Sequence, residues 1–246
     1  MGKLDNKVAI VTGGSKGMGE SHVRKFIKEG ALVAFTSTSH SASRGEQIAE
    51  ELGPNALYVE QDVTMADSWD NLIDSVMNKW GKIDVLVNNA GITMDKSLDD
   101  ITLKDYMSIV NLNQVSVFLG IKKVSPIMKK SKSGSIINIS SIDGIVGGKL
   151  GYTDTKFAVT GMTKAAALEL SPYNIRVNSV HPGVIDTPMI HEASVAEDVK
   201  KFIKTIPMQR VAEPEDVSNM VTFLASDESS YSTGSEFIVD GGLLAR

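Results

Sequence analysis

The sequence predicts a three-layer α/β fold, a doubly wound seven-stranded parallel sheet with helices on both faces. Three observations predict it. Short β-branched runs recur along the 246 residues, and most are continuously apolar rather than alternating, as strands buried on both faces require. Longer segments with apolar residues at helical spacing separate them. A glycine-rich stretch, TGGSKGMG (12–19), joins the first run to the first helical segment, where a strand must turn sharply into a crossover helix.

Taken in order, KVAIVT (7–12) predicts the first strand, and residues 19–29 a helix with Val23, Phe26 and Ile27 on one face. LVAFTS (32–37) predicts the second strand. The polar stretch TSTSHSASR (36–44) reads as one loop. ALYVE (56–60) is the third strand, and residues 68–80, with Leu72, Ile73, Val76 and Trp80 on one side, form the next helix. IDVLVNN (83–89) is the fourth strand, and a long helix is predicted over 103–130. SIINIS (135–140), a second long helix over 152–170, and IRVNSV (175–180) follow. A connecting region at 189–207, a helix at 213–224 and SEFIVD (235–240) complete the series. Strands that alternate with helices make a parallel sheet with right-handed crossovers. Repeats, low-complexity tails and Pro/Gly-rich linkers are absent, so a single domain is expected over 1–246, with a variable segment at about 188–212.

Composition narrows the function. The chain has no cysteine, so disulfides and thiolate metal sites are excluded and a reducing compartment is the simpler expectation. His22, His40, His181 and His191 lack metal-ligand spacing, and no metal is expected. A net charge of −5 and a pI near 5.4 argue against bulk binding to nucleic acid or an anionic membrane. No stretch reaches membrane-spanning length, and the opening MGKLDNKVAIVTGG lacks the apolar run of a secretory signal. A cytoplasmic location is expected.

Candidate binding residues gather where predicted strands end. In TGGSKGMG, glycines permit positive φ and close backbone approach to a pyrophosphate, and the following helix N-terminus offers free N–H groups. Gly13, Ser15, Lys16, Gly17, Met18 and Gly19 are the candidates there. Asp62-Val63 follows the third strand and Asn88-Asn89-Ala90-Gly91 the fourth, the ends at which open α/β sheets bind ligands. Asp62 is equally suited to a helix cap or turn, and NNAG to simple turn chemistry.

The candidate chemistry lies further on. Tyr152 and Lys156 are four apart at the start of a predicted helix, which puts both on one face. A phenol with an ordinary pKa near 10 is a poor acid/base at neutral pH, and a nearby ammonium favours the phenolate. Carbonyl reduction needs a proton donor at the oxygen as hydride arrives. Ser140-Ser141, at the end of the fifth strand, offer hydroxyls to a carbonyl oxygen, or serve as caps.

TGGSKGMG, NNAG, Asn111, ISS (139–141) and Tyr152-x-x-x-Lys156, in that order, resemble the short-chain dehydrogenase/reductases. The resemblance covers essentially the whole chain, running on through RVNSVHPG (176–183), Thr233-Gly234 and Asp240-Gly241-Gly242. It implies a Rossmann fold and a catalytic tetrad. Tyr152 would be the acid/base. Lys156 would lower its pKa and hold the nicotinamide ribose. Ser141 would orient the substrate carbonyl. Asn111 would kink the long helix and bind a water in a proton relay. Asn88, Asn89, Ala90 and Gly91 would line the cofactor, Asp62 and Val63 the adenine, and Pro182, Gly183, Ile185 and Thr187 the nicotinamide. The stretch IDGIVGGKLG between Ser141 and Tyr152 is about two residues shorter than is common in the family, which keeps Ser140 as an alternative to Ser141.

The second strand ends Phe35-Thr36-Ser37-Thr38 without the carboxylate that NAD-preferring relatives carry, leaving Ser37 and Thr38 at that edge of the cofactor. With Lys16 in the loop and Arg44 beyond the serines as cations for a 2′-phosphate, NADP is expected ahead of NAD. Asp143, Ile145, Val146, Met189 and Ile190 are candidate substrate contacts, together with Ser141 and Tyr152, and Val195, Val199, Phe202 and Ile206 could complete an apolar lid. The expected reaction interconverts a ketone and a secondary alcohol, in the manner of carbonyl reductases and hydroxysteroid dehydrogenases. A 3-oxoacyl carrier-protein reductase is the alternative, and a nicotinamide-binding sensor without turnover a remote one. The resemblance also implies a homotetramer.

Overall fold

β1 (Val8–Val11), β2 (Leu32–Ser37), β3 (Ala56–Glu60), β4 (Val85–Asn88), β5 (Gly134–Ile139), β6 (Ile175–Pro182) and β7 (Glu236–Val239) form one sheet in the order β3-β2-β1-β4-β5-β6-β7. The structure is a computed structural model that describes residues 2–188, 190 and 203–245. All six pairings are parallel, so each connection crosses a face of the sheet. Strand order reverses between β1 and β4. That switch point opens a crevice at the carboxyl ends of the strands, and the candidate residues collect around it.

The helices are α1 (Gly17–Lys28), α2 (Ala42–Leu52), α3 (Ala66–Trp80), α4 (Leu103–Val110), α5 (Ser116–Ser131), α6 (Tyr152–Leu170) and α7 (Pro214–Ala225). The pleat of β1 explains the three layers. Ala9 and Val11 face a cluster with Val23 and Phe26 of α1, Ile48 of α2, and Val217, Val221 and Leu224 of α7. Val8 and Ile10 face the other way, onto Trp69 and Leu72 of α3, Val124 and Met128 of α5, and Val159 and Leu170 of α6. Each such side chain, fully buried, is worth roughly 1.5–3 kcal/mol.

Two elements differ from the sequence reading. The polar stretch read as a loop over 36–44 is broken up: its first residues finish β2, a 3₁₀ turn covers Ser39–Ser41, and α2 starts at Ala42. Only Gly45 and Ile48 of α2 are buried, so its apolar periodicity is faint. The single helix expected over 103–130 is two helices joined by a π-helical turn, Asn111–Val115, which re-aims the side chains after it. α4 begins with a capping box in which Thr102 accepts from the Asp105 N–H and Asp105 accepts from the Thr102 N–H. No described helix is long and apolar enough to cross a membrane, and no group of acidic residues and histidines among the described residues could hold a metal.

Candidate active site

The glycine loop leaves β1 and enters α1 at the switch point. Gly13 and Gly17 have φ of +66° and +55°, a region L side chains avoid. A Cβ on Gly13 would meet the Ala90 Cα at 3.0 Å, and one on Gly19 the Gly13 carbonyl oxygen at 2.0 Å. The first turn of α1 has no side-chain cap, so its N–H groups and positive dipole end are free for an anion. The loop is pinned to β4. The Asn89 amide donates to the carbonyls of Thr12 (2.9 Å) and Gly13 (3.3 Å), and Thr12 Oγ1 accepts from the N–H groups of Asn89 and Ala90 at 3.0 Å. Across the loop, the position of a Gly17 Cβ lies 3.4 Å from Thr187.

Other expected cofactor residues divide between lining and packing. Ser15 is buried and Lys16 exposed. Met18 packs against the core from a half-buried position. Asp62 accepts from Thr64 N–H (2.9 Å) and Thr64 hydroxyl (2.6 Å), an Asx turn leading into α3, while Val63 is buried. Asn88 is an interior residue that donates to Asn138 Oδ1 at 2.9 Å. Ile185 belongs to the core. Gly183 passes so close to Asp240 that a Cβ would lie 2.9 Å from its Cα. The Ser37 hydroxyl lies 3.1 Å from the Tyr58 hydroxyl, and Thr38 starts the 3₁₀ turn after β2. The Thr36 hydroxyl and both amide atoms of Gln61, at the ends of β2 and β3, are buried without hydrogen-bond partners. A glycine cradle, an uncapped helix end and unsatisfied polar atoms at the same edge of the sheet fit a dinucleotide cofactor.

Arg44 does not match its expected role. Its guanidinium is held by Glu20 at 2.7 Å and also bonds Gln47, inside a surface ion-pair network with Arg24 and Glu51. Two glutamates neutralise the cation read as a phosphate ligand, and Lys16 is the basic residue left at the loop.

The chemical centre lies between β5 and α6. Lys156 is buried, and its ammonium donates to the Ile139 carbonyl at 2.9 Å and stands 5.4 Å from the centre of the Tyr152 ring. Burial lowers its pKa to about 8, and the Asp143 carboxylate opposes that shift. Burial pushes the Tyr152 phenol up to about 12, a hydrogen bond from Ser141 works against the rise, and the Asp143 charge adds to it. The resemblance implies that Lys156 lowers the phenol's pKa. Desolvation is the largest influence on the phenol here. Asp143 is half-buried, and burial raises its own pKa against the pull of Lys156.

The two serines separate cleanly. Ser140 spends its hydroxyl internally, donating to the Lys156 carbonyl at 3.0 Å. Ser141 accepts from the Asp143 N–H at 3.1 Å, and its hydroxyl is the group that works to lower the Tyr152 phenol. Ile145 is half-buried and Val146 exposed beside it. Ile190 donates its N–H to the Thr187 carbonyl, and Ile206 is core rather than lid. Met189, Val195, Val199 and Phe202 lie outside the described residues.

The asparagine is the second departure. Asn111 is exposed at the start of the π turn. Asn113 is the buried one: its Oδ1 accepts from Ile92 N–H (2.9 Å), and its Nδ2 donates to the Ile92 carbonyl (2.8 Å) and to Thr155 Oγ1 (3.3 Å). A Cβ placed on Gly91 would lie 3.2 Å from Asn113 Oδ1 and 3.8 Å from Lys156 Nζ. Residues two apart on a helix point roughly 200° away from each other, so only one of the pair can face the site.

A family model described as enoyl-(acyl carrier protein) reductase matches residues 13–244, nearly the whole chain. The chain belongs to the short-chain dehydrogenase/reductase family. Its relatives include a 3-alpha-(or 20-beta)-hydroxysteroid dehydrogenase of Mycobacterium tuberculosis, 49% identical over 99% of this chain and 92% of the relative. A cyclopentanol dehydrogenase of Comamonas testosteroni is 41% identical, with both chains fully covered. An NADP-dependent (R)-specific alcohol dehydrogenase of Lentilactobacillus kefiri is 40% identical over 99% of each chain. The family fold accords with the seven-stranded parallel sheet found here. Within it, sequence reasoning missed Asn113. The signal available was its position seven residues before Gly120, whose Cβ would strike Trp69 and Asn88 and which therefore fixes how α5 packs on β4.

Proposed function

We propose that this chain is an NADP(H)-dependent oxidoreductase that interconverts a ketone and a secondary alcohol, with Tyr152 as acid/base. The observation that carries the proposal is the meeting of the Tyr152 phenol, the Ser141 hydroxyl and the Lys156 ammonium at the end of β5, beside a cradle that fits a dinucleotide. A nicotinamide bound there supplies or accepts the hydride. Ser141 and Tyr152 hold the substrate oxygen between them. A phenol raised to about 12 stays protonated at neutral pH and is a proton donor, which suits the reductive direction. The proton goes to the carbonyl oxygen as negative charge develops on it. Lys156, charged below about 8, stabilises the phenolate left behind. Asn113 takes the role read for Asn111: it sits in the π turn beside Lys156 and ties the turn to Ile92 and Thr155.

Preference for NADP rests on a β2 end without a carboxylate, on exposed Lys16, and on the NADP-dependent relative. NAD would need an acceptor for its ribose hydroxyls, which Ser37 and Thr38 supply only weakly. Ile145 and Val146 suit apolar ketones, and relatives named for hydroxysteroids and cyclopentanol favour ring ketones. A 3-oxoacyl thioester on a carrier protein is the second reading; the description of the matching family model also names a carrier-protein substrate, though an enoyl one. Exposed Phe118 of α5 and Phe157 of α6 favour a homotetramer built on those helices.

Loss of absorbance at the nicotinamide band, with NADPH and with NADH, across cyclic ketones, oxosteroids and a 3-oxoacyl thioester tests the proposal. NADPH consumption with cyclic ketones or oxosteroids is the expected result. Faster turnover with NADH overturns the cofactor preference, and turnover confined to the thioester overturns the substrate class.

A further inference from the structure

His181 of β6 lies behind the catalytic serine, fully buried. Its Nδ1 is 2.8 Å from the Ser141 carbonyl oxygen and its Nε2 is 2.8 Å from the Ser179 hydroxyl. A carbonyl oxygen only accepts, so Nδ1 carries the proton. Nε2 is then the acceptor, and the Ser179 hydroxyl donates to it. Burial, which lowers the pKa of this imidazole, favours the same neutral form.

The strand ladder explains why a side chain is needed here. Ser140 donates its N–H to the Val180 carbonyl at 2.8 Å. The next rung of a parallel ladder would run from the N–H of residue 182 to the Ser140 carbonyl. Residue 182 is Pro182, which has no N–H to give. Pairing between β5 and β6 accordingly ends at Ile139 and Val180. Two residues past Ile139 stands Ser141, in extended backbone, its hydroxyl accepting from the Asp143 N–H and working to lower the Tyr152 phenol. Its carbonyl is held from one side by the Gly144 N–H at 2.9 Å and from the other by His181.

We propose that His181 is a positioning residue for Ser141: its imidazole ties β6 to the Ser141 carbonyl, one residue beyond the rung that Pro182 cannot make, and fixes the serine main chain, so that the hydroxyl meets the substrate oxygen together with the Tyr152 phenol. The proposal rests on the reading of Ser141 as the substrate-orienting serine. Ser179 contributes by holding the ring in the tautomer that donates to Ser141. His181 is fully buried, so it acts on the site through Ser141.

The test compares His181→Asn, His181→Gln and His181→Leu in steady-state ketone reduction, with Ser141→Ala alone and combined with His181→Leu. An asparagine Nδ2 stands where histidine Nδ1 stands, whereas a glutamine Nε2 stands where Nε2 does. His181→Asn is expected to keep kcat within about 3-fold of wild type, while His181→Leu and His181→Gln lose about 10²-fold, the scale of an ångström's misplacement at a reacting centre. KM for the nicotinamide stays unchanged in all three. In the Ser141→Ala background, His181→Leu costs almost nothing further, because the group it positions is gone. Equal activity of His181→Asn and His181→Gln overturns the proposal, and that comparison stands even if His181→Leu fails to fold. A His181→Leu loss that persists undiminished in Ser141→Ala also overturns it. Ser141→Ala as active as wild type refutes the reading of the serine itself, and the proposal falls with it, whereas loss of the Tyr152 role alone leaves the His181 comparison intact.

Discussion

Tyr152 and Lys156 could be read from sequence because a helix converts a spacing of four into a shared face, and the helix begins where it was predicted. Ser141 could be read because it follows a strand that the β-branched pattern marks. Asn113 could not. Asn111 and Asn113 differ by two positions, and which one turns inward depends on a π turn whose only trace is the packing of α5 on β4. Asn113→Ala is accordingly expected to lower kcat/KM for ketone reduction by about 10²-fold, at the low end of what acid/base groups contribute, while Asn111→Ala stays near wild type. Equal effects of the two would restore the original assignment. Lys156 is lowered by burial from 10.5 to about 8, so its charge is complete at neutral pH and is lost as pH rises through 8. Tyr152 remains protonated over that range. Reductive kcat/KM is therefore expected to be flat near neutrality and to fall above about pH 8, whereas a profile still flat at pH 10 would contradict the buried lysine.

α2 and the break between α4 and α5 are what the chain pattern hid. α2 lies on the surface with only two buried positions, so a helix made mostly of polar residues looks like a loop. The seam between α1 and α7 carries the testable feature at this scale. His22 of α1 is fully buried, with Nδ1 2.7 Å from the Ser218 hydroxyl of α7 and Nε2 without a partner. Burial lowers its pKa from 6.5 to about 3. The unfolded chain takes up a proton below about 6.5 that the folded chain refuses. Stability is therefore complete above that pH and falls as the pH drops toward 3, by up to about 1.4 kcal/mol per unit. Urea unfolding at pH 7 and pH 5 measures the slope, and His22→Asn is expected to flatten it. An unchanged slope in the variant would assign the loss to other groups.

The architecture of the whole molecule was the most legible level, because two-sided burial of seven short runs leaves few alternatives to a doubly wound sheet. Cofactor choice was less so: Arg44 reads as a phosphate ligand in the sequence, and only packing reveals that Glu20 and Glu51 engage it. Phe118 and Phe157 are 48% and 46% exposed on α5 and α6. Light scattering on the purified protein is expected to give a mass near four chains of 26.4 kDa, and Phe157→Glu a smaller species. A monomer at micromolar concentration would contradict the homotetramer.

In the proposed mechanism Tyr152 delivers the proton to the substrate oxygen. The most direct test of that step is the rate of ketone reduction by Tyr152→Phe, with NADPH binding followed in parallel by quenching of protein fluorescence. Loss of at least about 10³-fold in kcat with nicotinamide affinity unchanged is the predicted result, since the variant removes one hydroxyl and leaves the glycine cradle in place. Turnover within a few-fold of wild type would contradict the assignment and move the acid to another group.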